Sequence, residues 1–351
     1  MSTLQIGLAV AGGLVLACMV AYNTYHTWNA RKNAPPPPIP KEPALDAKPP
    51  APMHAAKREQ ASAASIPDIP LPPPRPPALD ALIDVIATLT LDPQAGPVSG
   101  EAAIAALPAS RRVGSKPFAV EGYNQRTQHW ESPIPGQHYS SFQAGVQLAN
   151  RSGPLNQIEY SQFVVKTQAF ADALAATPEF PEMRDEVARA RELDQFASAH
   201  DAQLGFTLRA RNAAWSTGFV QQQAARFGFV RGTIAGRMVL PAAQKSLPPV
   251  LVLGFDAQTA LVETPSLSAI RTISLHLDVV QVERGEQAFL RLGELAFALA
   301  EALDGVVTDD NGQPLTPDAL NLIGNDLETL YDTLEQRDLA AGSAAARRLF
   351  S

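Results

Sequence analysis

Cysteine is all but missing from this chain: Cys18 is the only one in 351 residues, so no disulfide can form within the molecule. That usage suits a reducing compartment. Metal and nucleotide motifs are missing as well. The six histidines, His26, His54, His129, His138, His200 and His276, show no metal-ligand spacing with one another or with Cys18. There is no GxSxG elbow, no phosphate-binding GxxxxGK loop and no GxGxxG after a strand. Asp309 and Asp310 precede Asn311-Gly312 and read as a solvated turn rather than an acid/base pair. His276 sits mid-strand with no catalytic partner in sight. These absences argue against an enzyme, and no cofactor or metal is expected. Positive charge is scarce too. The chain is −7 overall and residues 1–79 are +3, so residues 80–351 are −10. An acidic body excludes the basic face of a nucleic-acid-binding domain and disfavours adhesion to anionic lipid headgroups.

What the chain does have begins at its start. Leu4–Tyr22 is 19 residues without a formal charge, near the length that crosses a hydrocarbon core. Tyr22, Tyr25 and Trp28 follow in the manner of an interfacial belt. A cleaved signal peptide carries basic residues before its apolar stretch, and here only Met1, Ser2 and Thr3 precede it. The first cations, Arg31 and Lys32, lie beyond the span, which predicts an outward N-terminus and a cytoplasmic body by the positive-inside rule. Ala9, Gly13, Ala17 and Ala21 form a small-residue stripe that allows weak self-association of the span. Residues 33–79 then hold 16 prolines in 47 positions. Such a tract cannot form helix or sheet and reads as an extended, disordered spacer rather than a binding motif.

Ordered periodicity starts near Leu79. Strands are expected at 81–91, in "KPFAVEGYN" and in "YSSFQAGVQLAN", with a short helix capped by Ser99 and two long helices in 156–201. After residue 200 a similar order returns: a strand at 203–211, a helix ending at Gly228, strands in "FVRGTIAGRMVL", "PVLVLGF" and "TISLHLDVV", then a helix with an apolar stripe from Phe289 to Leu303, closed by Gly305. "VVTDDNG" gives an edge strand and turn, and Thr316-Pro317 starts a last helix with Leu320, Ile323, Leu327, Leu330 and Leu334 inward. The predicted fold is α+β: one transmembrane helix, a Pro-rich linker, then antiparallel sheets with helices packed on one face, in two related units. The predicted boundaries are 1–28 anchor, 29–79 linker, 80–200 first unit and 201–351 second unit.

One span, a basic collar, a Pro-rich tether and an α/β body together resemble the bacterial cell-division family ZipA. "ARFGFVRGTIAGRMVL" and "AFLRLGELAFALAEALDGVVTDDNGQPLTPDAL" resemble its C-terminal domain, while residues 80–200 and "AAGSAAARRLFS" fall outside that pattern. The resemblance implies a membrane tether for the division GTPase FtsZ, whose C-terminal tail docks on an open sheet face, with the anchor in the inner membrane at the division site. It implies partner-binding roles for Ile234, Gly236, Met238, Val252, Gly254, Ser274 and His276. Leu251 and Leu253 replace Val252 and Gly254 if the register slips by one. Competing readings are a TonB-like energy transducer, which needs basic residues before the span, and a membrane-tethered cell-wall protein, which needs a catalytic constellation.

Overall fold

The computed structural model describes residues 79–94, 96–244, 247–255, 269–309 and 312–351. The apolar segment Leu4–Tyr22 and nearly all of the Pro-rich tract lie outside them. Among the described residues no helix is long and apolar enough to cross a membrane. Mixed α+β structure with antiparallel sheets is present throughout.

The first sheet is built from β1 (Asp84–Leu91), β2 (Lys116–Asn124), β3 (His138–Gln147) and β4 (Ala176–Glu179), in the order β2-β3-β1-β4, with short two-residue strands at its margins. Every second residue of β1, from Val85 to Leu89, is fully buried, while Thr88 and Thr90 face outward. α1 (Gly100–Ala106) starts at Ser99, whose hydroxyl accepts from the Ala102 amide. α2 (Gln157–Ala173) starts with a reciprocal cap between Asn156 and Glu159. It sends Phe163 and Phe170 against Phe118 and Phe142 of the sheet. α3 (Met183–His200) follows. The strand β4 was not legible in sequence. The chain leaves α2 through Ala175 at φ +51°, so no glycine or proline marks the stop. On the opposite face Leu79 is buried, its amide donates to Glu121 Oε1, and its side chain lies over Gly145. Leu79, which composition assigns to the linker, is therefore packed as part of the body.

The second sheet has the order β6-β7-β8-β9-β5-β10, all antiparallel: β5 (Gln203–Ala210), β6 (Val230–Arg231), β7 (Arg237–Leu240), β8 (Leu251–Gly254), β9 (Thr272–Asp278) and β10 (Gly305–Thr308). α4 (Thr217–Arg226) ends as expected ahead of Gly228, which takes φ +88°. α5 (Ala288–Ala302) buries Leu292, Ala296 and Leu299 against β5, β9 and β10. Its left-handed exit residue is Asp304 at φ +51°, and the expected stop Gly305 instead opens β10. α6 (Pro317–Glu335) is capped by Thr316 and buries Leu327, Tyr331 and Leu334.

The last residues tie the two sheets together. α7 (Ala344–Leu349) is capped by Ser343, and Leu349 and Phe350 are buried at its end. Arg348 forms a forked pair with Asp84 of β1, 2.5 and 2.9 Å. Gln147 of β3 donates to the Arg348 carbonyl at 2.7 Å, and Gln281, just after β9, donates to the Phe350 carbonyl at 2.7 Å. Gly342 takes φ +76° and lies so close to Glu283 that a methyl group would sit 2.4 Å from the Glu283 amide nitrogen, which only glycine permits.

Candidate functional site

The helices cover one side of the second sheet, so strand alternation decides which side chains are left on the other. In β9, Ile273, Leu275 and Leu277 are buried under the helices, and Thr272, Ser274, His276 and Asp278 point away. β8 follows the same rule: Leu251 and Leu253 are buried, so Val252 and Gly254 belong to the uncovered face and the alternative register does not occur.

Antiparallel pairing sets these residues in rows. Arg237, Gly254, Ser274 and Thr207 stand opposite one another across β7, β8, β9 and β5. Val239, Val252, His276 and Gly205 form the next row. The uncovered face is a shallow groove of about 1030 Å³. Its floor is lowered by Gly205 and Gly254, its apolar contacts come from Val252, Phe255 and Ile234, and Pro248 and Pro249 close one side. Arg237 is exposed at one end. At the other, Asp278 is held with Asp201 by Arg151, at 2.7 and 2.6 Å. One guanidinium against two carboxylates leaves the groove cationic at the Arg237 end and acidic at the Asp278 end. Glycine floors, short apolar contacts and hydrogen-bonding groups suit an extended or helical peptide laid on the sheet. Among the described residues no group of three or more His, Cys, Asp or Glu is arranged to hold a metal.

Of the seven residues expected to bind a partner, Ile234, Gly236, Val252, Gly254, Ser274 and His276 line this one groove. Met238 does not. It is only 3% exposed, paired with Leu253 in the row that continues through Leu275 to Phe206 under the helices. The expectation that Ile234 and Met238 share a face of one continuous strand is corrected by a turn at 232–236. Gly236 takes φ +76°, the Arg237 amide bonds to the Ile234 carbonyl, and β6 folds back on β7. Ile234 sits on that turn at 55% exposure, and alternation restarts at Arg237. Two glycines four apart, Gly232 and Gly236, were the available signal for this hairpin. Arg237, Thr207 and Phe255 were missed. Thr207 was readable from the alternation of "QLGFTLRAR", whereas Phe255 reaches the groove only because β8 ends at Gly254.

Residues 263–325 match the family model described as ZipA, C-terminal FtsZ-binding domain. The matched stretch spans β9, α5, β10 and α6 as far as Asn325, and it contributes Ser274 and His276 to the groove. The matched family is described by binding rather than by catalysis. No curated protein matches the chain. Over residues 263–325 the chain is similar to the C-terminal FtsZ-binding domain of ZipA.

Proposed function

We propose that the chain tethers FtsZ to the bacterial inner membrane at the division site, taking the C-terminal tail of FtsZ on the open face of the second sheet. The observation that carries this reading is the groove itself. It is an uncovered sheet face with a glycine floor and apolar walls, and one of its strands, β9, lies within the ZipA-type match. The tail docks by burying apolar side chains against Val252, Phe255 and Ile234, and the exposed Arg237 suits an acidic group on the docked peptide. Leu4–Tyr22 is the anchor, with its N-terminus outward, and the Pro-rich tract is the spacer between membrane and body. The recurring strand neighbourhoods, β1 between β3 and β4 and β5 between β9 and β10, support reading the two halves as a duplicated unit. Reconstitution tests the assignment. Vesicles carrying the full chain are expected to sediment FtsZ but not FtsZ lacking its tail. Equal sedimentation of both forms contradicts it.

A further inference from the structure

On the helical side of the second sheet, α5 and α6 enclose a second groove of about 640 Å³. None of its lining residues belongs to the open-face groove. Leu290 and Phe297 stand at its walls, exposed by 59% and 41%, and Phe289, Leu320 and Leu327 contribute to its apolar lining. Its depth comes from two mid-helix glycines, Gly293 on α5 and Gly324 on α6. Glycine is a poorer helix former than alanine. Packing does not require either one, because an added methyl would find its nearest neighbours at 3.9 Å (Leu320) and 3.5 Å (Phe289), which is ordinary contact. The two glycines cost helix stability, and what they leave is open space between the helices.

The surroundings are acidic. α6 carries Asp318, Asp326, Glu328, Asp332 and Glu335 and no base, and α5 carries Glu294 and Glu301 against Arg291 alone. Arg284 pairs with Glu328, Asp332 and Glu335. Among the described residues no ion pair engages Glu294, Asp318 or Asp326. We infer that the α5–α6 groove is a second docking surface, taking the apolar face of a cationic amphipathic helix from another protein. Helix-in-groove recognition needs an apolar trough that accepts side chains spaced at i, i+3 or i+4, and i+7; Glu294 lines this one beside the Arg284–Glu328 pair, and the acidic surplus of α5 and α6 around it selects basic flanks. A second copy of the chain is disfavoured, because it brings the same acidic α6 toward its like. The surface is independent of the open face, so it allows the body to hold FtsZ and a second protein at once.

The test uses the full chain in uncharged-detergent micelles with a photoreactive benzoylphenylalanine in place of Leu290. The probe is a Leu/Lys model peptide of about 15 residues, long enough to form a helix, and its control is the Leu/Glu twin. The Lys peptide is expected to give about tenfold more adduct than the Glu twin at low salt, undiminished by saturating FtsZ tail peptide. The pair Gly293→Ala and Gly324→Ala is expected to lower that adduct about tenfold, on the scale of a methyl group placed in an apolar pocket, with a melting temperature unchanged or raised. Equal adduct with both peptides overturns the proposal. So does adduct that survives the two alanines. Adduct between two chains assigns the groove to a second copy, and adduct to residues 1–78 assigns it to the chain's own tether; either overturns the cationic-partner reading. Adduct lost only on adding tail peptide shows one shared site and also overturns it, leaving the FtsZ assignment intact.

Discussion

Met238 and Ile234 lie four residues apart, and their environments are opposite. Met238 is packed against Leu253 in the core, while Ile234 stands on a turn at the mouth of the groove. A buried carboxylate without a partner costs several kcal/mol, so Met238→Glu is expected to unfold the second sheet. Thermal denaturation checks this, and a melting temperature like that of the parent chain contradicts it. The same pair shows where the sequence was readable and where it was not. Alternation in "ISLHLDVV" put Ser274 and His276 on the open face, because a seven-residue strand leaves the phase no freedom. In "GTIAGRMVL" the phase is reset by a turn at Gly236, so counting by twos from Ile234 lands on the wrong side at Met238.

Among the elements outside the family pattern, α7 is the one whose contacts connect both sheets. Its key pair joins Arg348 to Asp84, whose carboxyl is almost fully buried. Burial pushes the Asp84 pKa up and the Arg348 guanidinium pulls it back, with burial the larger effect. Arg348→Ala removes the ion pair and leaves only the Asp80 amide, which donates to Asp84 Oδ2 at 2.8 Å, to offset burial; it is expected to destabilise the body by about 3 kcal/mol, the scale of a buried charge that loses its ion-pair partner. The sign with pH follows from the raised pKa. The folded state then favours the protonated acid, so the deficit is least below the ordinary carboxylate range and grows as pH rises through the folded-state pKa of Asp84. Denaturant melts at acid and neutral pH measure it. A deficit that shrinks toward neutral pH contradicts the account. None of this was legible in "AAGSAAARRLFS". A short Ala/Arg helix shows its caps in sequence, but its partners Asp84, Gln147 and Gln281 are far away along the chain.

At the scale of the molecule, two sheets repeat one strand neighbourhood, and on the first the outer face is covered at the start of β1. On the first sheet that face is crossed by Leu79 over Gly145, with Arg348 on Asp84 at the start of β1. The succession of elements was readable from periodicity and caps. The cover over the start of β1 depends on Leu79 and Arg348, a contact between residues remote in sequence. The proposed activity lies on the groove at Val252 and Ile234. The most direct test is the affinity of the full chain for the FtsZ tail peptide, measured for the parent and for Val252→Glu and Ile234→Glu. The account predicts a loss of about 2 kcal/mol or more in binding for each variant, with a melting temperature close to the parent's because the helix-covered face is untouched. Tail affinity unchanged in both variants contradicts it.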